Sequence, residues 1–225
     1  MKVSKAQSAE NRQGILDAAA RLYREHGVAG VGVADITRDA GLTHGGLYRH
    51  FENKDALVRE ACARAFDWTI APLDGMEKDM GSGDAGLASR VASYLSAQHR
   101  DHPGEGCPAA ALAVDAARAG GELSEVFAQG IERNIERFAR VLQGLEEGEP
   151  SAESRARAMH ILATMVGGLA LARATAAGRP ALSDEILATL REHLTPPTEA
   201  PTPKPSQRRS RLAPHGGTPS RTQDK

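Results

Sequence analysis

The chain has 225 residues, 40% of them hydrophobic and 25% charged, and a formal net charge of −1. That balance excludes a wholly disordered chain or a collagen-like fibre and leaves room for one or two compact units with a sizeable core. Two cysteines, Cys62 and Cys107, make no disulfide framework, and the longest nearly uncharged apolar run, Ile161–Ala172, is too short to span a bilayer.

No apolar block follows Met1-Lys2, so no signal peptide is expected and the reading is a soluble, cytoplasmic chain with no membrane partner. A first helix, from about Ala9 to His26, lines up Ile15, Ala19 and Leu22 with Leu16 and Tyr23 beside them, and Gly27 stops it. Two short helical stretches follow, Val33–Ala40 and Thr43–Phe51, separated only by Gly41-Leu42. Asn53 is a good N-cap for a fourth helix, with Asp55 in its first turn and Leu57, Ala61, Ala65 and Trp68 on one side. Pro72 is expected to end or kink it. Gly81-Ser82-Gly83 breaks the chain before a fifth helix carrying Leu87, Val91, Tyr94, Leu95 and Gln98. A loop, Asp101–Gly106, leads to Pro108, which suits the first position of a sixth helix reaching about Ala119.

The seventh helix has the clearest period: Leu123, Phe127, Ile131, Ile135, Phe138, Leu142 and Leu145, closed by Gly148-Glu149-Pro150. An eighth, about Ala152–Ala177, is apolar on most sides, and a ninth carries Ile186, Leu187, Leu190 and Leu194. Sustained period-two alternation is absent, so the expected fold is all-α, with about nine helices. The last stretch, 195–225, holds seven of the twelve prolines and six basic residues against two acidic ones. It reads as a disordered basic tail, a solubilising segment or a loose hold on DNA phosphates.

Two short helices with a tight turn, propped on a first helix, make the three-helix arrangement of helix-turn-helix proteins. Ile36, Ala40, Leu42, Leu47 and Phe51 can all point inward, with Gly41 supplying the turn. His44, Gly45, Tyr48 and Arg49 then face outward. Taken alone, such a hairpin need have no DNA role. The exact string, however, is specific: Ile36-Thr37-Arg38-Asp39-Ala40-Gly41-Leu42-Thr43, then Leu47-Tyr48-Arg49-His50-Phe51, then Asn53-Lys54-Asp55-Ala56-Leu57. Over Ile15–Ala61 it resembles the DNA-binding domain of the TetR/AcrR family of bacterial repressors.

The resemblance implies a third helix lying in the major groove of double-stranded DNA. Thr43 would meet a phosphate from its N-cap, His44 and Gly45 would approach base edges, and Tyr48 and His50 would bond the backbone. Lys54 would reach a phosphate, and Arg49 would contact base or backbone; an arginine fork suits a guanine edge. The chain departs from the family where Gly32, Val33 and Ala34 replace a phosphate-binding threonine, so that hold on the phosphate is missing or passes to a backbone amide. Thr37, where alanine is usual, should affect helix packing more than DNA. Gly45 lets the backbone come close to the groove, whereas Gly46 is merely tolerated. With nine Lys or Arg against eight Asp or Glu in the first 60 residues, the head's electrostatic footprint is weak, so tight binding needs a dimer on a palindrome.

The resemblance further implies a ligand-binding and dimerising carboxy-terminal domain. The expected units are therefore residues 1–53, residues 54–194 and the tail 195–225. The eighth helix offers two apolar stripes, Met159, Leu162, Val166, Leu169 and Ile161, Met165, Gly168, Ala172, one for the core and one for a partner. Met159, Leu162, Met165, Val166 and Leu169, with Ile186 and Leu190 of the ninth helix, are the candidate homodimer interface, and Gly167-Gly168 would allow close helix approach. Candidate residues for a small-molecule effector pocket are Phe66, Trp68, Tyr94, Leu95, Cys107, Leu112, Phe127 and Phe138. Eight aromatics in the whole chain favour a small or aliphatic effector over a broad aromatic pocket.

Cys107, in Gly106-Cys107-Pro108, is placed at a helix N-cap, where the dipole favours thiolate. The motif resembles a feature of a TetR subgroup, some of whose members sense electrophiles or oxidants; plain packing is the simpler role, and more so for Cys62. The eight histidines form no H-E-x-x-H pair, and no G-x-S-x-G, P-loop or dinucleotide fingerprint is present, so no catalytic residue, cofactor or metal is expected. A non-specific DNA binder dominated by the tail, or a thiol enzyme built on Cys107, are the remaining alternatives.

Overall fold

The computed structural model describes residues 4–80, 83–145 and 148–195. The expected tail beyond Thr195 and the side chains of His44 and Trp68 lie outside the described residues. The helices are α1 (Lys5–His26), α2 (Val33–Asp39), α3 (His44–Leu47), α4 (Lys54–Met80), α5 (Gly83–Tyr94), α6 (Ala97–Asp101), α7 (Pro108–Ala119), α8 (Gly121–Gln143), α9 (Ala152–Ala176) and α10 (Pro180–Leu194). A 3-10 turn covers Pro103–Glu105, and the described residues contain no strand. The all-α expectation holds with one helix more than counted.

The extra helix comes from a break inside the expected fifth one. Ser96 leaves helical geometry and accepts the His99 N–H at 3.1 Å, capping a new helix, α6, so the helix that opens at Pro108 is α7. Two other boundaries move. Ser4 caps α1 by accepting the Gln7 N–H, which starts that helix ahead of Ala9. Pro72 does not end α4, which continues to Met80. A proline within a helix removes one hydrogen bond and crowds one carbonyl, a cost of about 3 kcal/mol.

Two apolar cores hold the fold. The first joins α1–α4 to Cys107, Leu112 and Ala116 of the α7 region and to Leu123 and Phe127 of α8, so apolar packing runs straight across residues 53 and 54. The second gathers Leu87 and Val91 of α5, Leu95 just after it, Ile135 and Phe138 of α8, the inner face of α9 and Leu187. Glycine permits two close crossings: a Cβ on Gly130 would strike the Phe66 ring, and one on Gly168 a methyl of Leu190. Phe66 meets Phe127 edge-on, 5.2 Å between centroids.

Of the two stripes expected on α9, Ile161, Met165, Gly168 and Ala172 are buried throughout, as a core stripe should be, whereas Met159, Leu162, Val166 and Leu169 do not face outward together. Leu162, Met165 and Leu169, named for a partner, are buried in the chain's own core with Ile161 and Ala172. The face left outward is Met159, Ala163, Gly167, Ala170 and Leu171, flanked by half-buried Val166. Taken by itself α9 is long and apolar enough to cross a bilayer, contrary to what the short run Ile161–Ala172 suggested, but its inner side packs on α8 and α10.

Candidate nucleic-acid interface

The amino-terminal helices build a small platform with one motif on its outside. Ile36 and Leu47 are fully buried and Phe51 nearly so, while Gly41 takes φ +66°, a left-handed conformation that favours glycine. The Leu42 N–H then donates to the Thr37 carbonyl at 2.8 Å and closes the turn. Thr37 is buried and donates its hydroxyl to the carbonyls of Val33 and Ala34, the packing role expected for it. Beneath the motif, the Arg12 guanidinium lies 4.8 Å above the Phe51 ring and pairs with Glu60, tying α1 to α4.

At the start of α2 the missing threonine is compensated in a way the sequence reading missed. The Asp35 carboxylate accepts the Gly32 N–H at 3.0 Å and is also bonded by Arg38 at 2.7 Å. Of the backbone amides that could take over the phosphate contact, that of Gly32 is thus already engaged. Those two bonds, the backbone one first, hold the Asp35 carboxyl below the usual range. An acid three residues into a helix behind a glycine N-cap was the available signal.

The third helix is shorter than the expected Thr43–Phe51. Only His44–Leu47 is α-helical; from there Arg49 N–H bonds Gly46 O and His50 N–H bonds Leu47 O, a tighter winding that carries the chain to Phe51. Two glycines weaken the helical preference at this point. Thr43 occupies the N-cap as expected, but its side chain makes no capping bond and is exposed. Gly45 and Arg49 are exposed too, Tyr48 is half exposed, and His50 is partly buried. Nothing lies within 4 Å of a Cβ built on Gly45. Thr43, Gly45, Tyr48 and Arg49 therefore form one outward surface of donors and acceptors around a bare stretch of backbone.

Asn53 caps α4 as expected, its Oδ1 accepting the Ala56 N–H at 2.8 Å. Lys54 is placed differently. Its ammonium donates to the Val31 carbonyl at 2.8 Å, fastening α4 to the α1–α2 loop and leaving two of three protons for another acceptor.

The candidate pocket residues whose side chains are described divide between the two cores. Phe66, Cys107, Leu112 and Phe127 belong to the first core, Leu95 and Phe138 to the second, and Tyr94 packs against both. Two clefts elsewhere contain none of them: one of about 520 Å³ among Asp17, Arg21, Arg24, Asp39 and Gly104, and one of about 280 Å³ among Arg59, Glu60, Glu122 and Val126. No group of three or more His, Cys, Asp or Glu among the described residues is arranged to hold a metal ion.

Cys107 does sit at the N-cap, now of α7, with its side chain making no capping bond. Its N–H donates to His99 Nε2 at 3.0 Å, and His99 Nδ1 lies 2.8 Å from the Tyr94 carbonyl. That pair of contacts requires the neutral imidazole with its proton on Nδ1. Burial holds the His99 pKa down to about 4, and burial with the neighbouring Cys107 thiol pushes Tyr94 well above its usual range. Cys62, buried in the first core, is pushed up to about 12 by burial. Of the residues named for a dimer, only Met159 is exposed, with Val166, Ile186 and Leu190 half-buried.

Comparison with known proteins bears on both halves of the chain. Residues 15–61 match the family model described as bacterial regulatory proteins, tetR family. The HTH-type transcriptional regulator AcrR of Shigella flexneri is 40% identical over 57 residues, which is 25% of this chain and 26% of that protein. The match thus spans about a quarter of that relative's length. A TetR-family transcriptional regulator from Cytophaga hutchinsonii shares the fold with a TM-score of 0.69 at 23% identity, over 86% of this chain and 96% of that one. The reduced form of E. coli NemR does so with a TM-score of 0.67 at 17% identity, over 84% and 99%.

Proposed function

We propose, from the match of residues 15–61 to the family of bacterial regulatory proteins described as tetR, that the chain belongs to that family and is a cytoplasmic transcriptional repressor. Two copies hold a palindromic operator and a small-molecule effector releases it. The observation that carries this reading is the outward surface of Thr43, Gly45, Tyr48 and Arg49, where an exposed Gly45 opens the backbone to a groove edge. Basic residues in the head are largely spent on internal pairs, Arg12 with Glu60, Arg21 with Asp39 and Arg38 with Asp35. Selective contact, not bulk charge, then has to supply the affinity, and pairing two heads supplies it twice.

Dimerisation is assigned to the outward face of α9, through Met159, Ala163, Gly167 and Leu171, together with exposed Leu182 of α10. Release follows from α4. It starts at Lys54 beside the head and runs alongside α8, so an effector that favours one position of α4 changes the spacing of the two heads. The test is fluorescence-anisotropy binding to DNA flanking the gene against scrambled DNA, backed by selection from random duplexes. Selective binding lost in Tyr48→Ala and kept by a chain ending at Leu194 supports the reading. Equal binding to all DNA, lost with the tail, replaces it with a non-specific binder.

A second mode of release is favoured by one observation, the Cys107 thiol at the N-terminus of α7 beside the Tyr94 hydroxyl. Alkylation of that thiol by an electrophile would leave no room for the present packing. Loss of DNA binding on treatment with N-ethylmaleimide, abolished in Cys107→Ser but not in Cys62→Ser, supports it; an unchanged response in Cys107→Ser removes it.

A further inference from the structure

The segment from Leu95 to Cys107 lies across the chain between α1 of the head and the two last helices, and it is held by its main chain. Three arginines from three helices bind its carbonyls. Arg24 of α1 donates Nη1 to Gly106 O at 3.2 Å and Nη2 to Gly104 O. Arg173 of α9 donates Nε to Arg100 O at 3.1 Å and Nη2 to His99 O at 2.6 Å. Arg191 of α10 donates Nη1 to Leu95 O at 2.6 Å. In the other direction Arg100 reaches Ser183 Oγ at 3.0 Å and Asp184 Oδ1 at 2.6 Å on α10.

The segment has no slack. The His99 ring ties its middle to Cys107, and Gly104 and Gly106 lie where no side chain fits. A Cβ on Gly104 would run into Glu25 and Arg21 of α1, and one on Gly106 into His99. Arg24 is buried, and its fork spans two carbonyls of one turn, which fixes an angle as well as a distance. Next to it, the Val28 N–H donates to Asp115 Oδ1 of α7 at 3.2 Å, so the end of α1 is held at two places.

We propose that Arg24 is a positioning residue for DNA recognition: it sets the angle of the reading head on the rest of the chain, and residues 95–107 relay the position of α9 and α10 to it. This rests on the reading that two heads act together on DNA. A head fixed in angle accepts one separation of half-sites, whereas a head on a loose pivot accepts several.

The experiment compares wild type, Arg24→Lys, Arg24→Met and Arg191→Lys on duplexes selected by the wild type, with half-sites at the selected spacing, one and two base pairs further apart, and singly. Expected for Arg24→Met is a loss of roughly tenfold at the selected spacing, as for removal of a buried fork, with the spacings levelled and the single half-site unchanged. Arg24→Lys, which keeps the charge and one bond, falls between. A folded Arg24→Met that keeps the wild-type spacing preference, or loses single and paired sites alike, overturns the proposal.

Hydrogen exchange needs no DNA. With Arg191→Lys, amides of residues 20–28 exchange faster if the relay operates, and exchange at wild-type rates there overturns it. Failure of the wild type to select any DNA would refute the repressor reading while the exchange measurement still decides the relay.

Discussion

Leu47 and Tyr48 are neighbours in sequence with opposite duties, and the head and body of the chain divide in the same manner. In the head, side chains that hold the fold point in and those available to a partner point out: Leu47 is fully buried and Tyr48 half exposed. In the body, the side chains named for an effector, among them Leu95, Leu112 and Phe138, are the same ones that fill the two cores. A surface site separates function from packing, so substitution can remove one and keep the other. An interior site does not, and its function can be reached only through residues that also change stability.

The sharpest way to break this contrast is at that adjacent pair. Leu47→Ala empties a buried site and is expected to cost about 2–5 kcal/mol in denaturant unfolding, whereas Tyr48→Ala should change stability by less than about 1 kcal/mol while abolishing selective DNA binding. Similar losses of stability in both would show that the outward surface is structural.

In the body the corresponding test is pH. His99 is held neutral in the fold with a pKa of about 4, against 6.5 when exposed. Its contribution is therefore fully present above pH 6.5 and falls away as the pH drops towards 4, by on the order of 3 kcal/mol. Unfolding free energies measured across that window should fall more steeply for the wild type than for His99→Gln, and parallel curves would remove His99 from the account.

Smaller effects sharpen the comparison. Lys54→Met removes one bond to Val31 and should cost about 1–2 kcal/mol in thermal unfolding. Gly45→Ala meets open space and no positive φ, so it should stabilise the chain by up to about 1 kcal/mol and yet weaken operator binding. Gain in both stability and binding would mean that the bare backbone at Gly45 serves nothing.

The head was legible because its signals are local: a turn glycine, an N-cap asparagine and a fixed order of inward residues all act within a few positions. What it did not reveal is longer in range, such as Lys54, which the resemblance assigned to a phosphate and whose ammonium also bonds the Val31 carbonyl, 23 residues away. In the body, α9 is apolar on most sides, so sequence could not tell which stripe faces inward, and Leu162, Met165 and Leu169 were assigned to a partner. Ser96 looked like one more helical residue, because a helix restart needs only a hydroxyl and a short run after it. The arginines that bind main-chain oxygens had no pattern to find, since the acceptor side is the same for every residue type.

That indifference carries a consequence for how such a chain can change over generations. Bonds ending on the carbonyls of Leu95, His99, Arg100, Gly104 and Gly106 do not depend on which side chains those positions bear. Space restricts the two glycines, and contacts of their own restrict the Leu95, His99 and Arg100 side chains. The exposed positions between them are free to drift, so the heritable part of the connection resides in a few fixed side chains, three of them distant arginines, and in two absent ones.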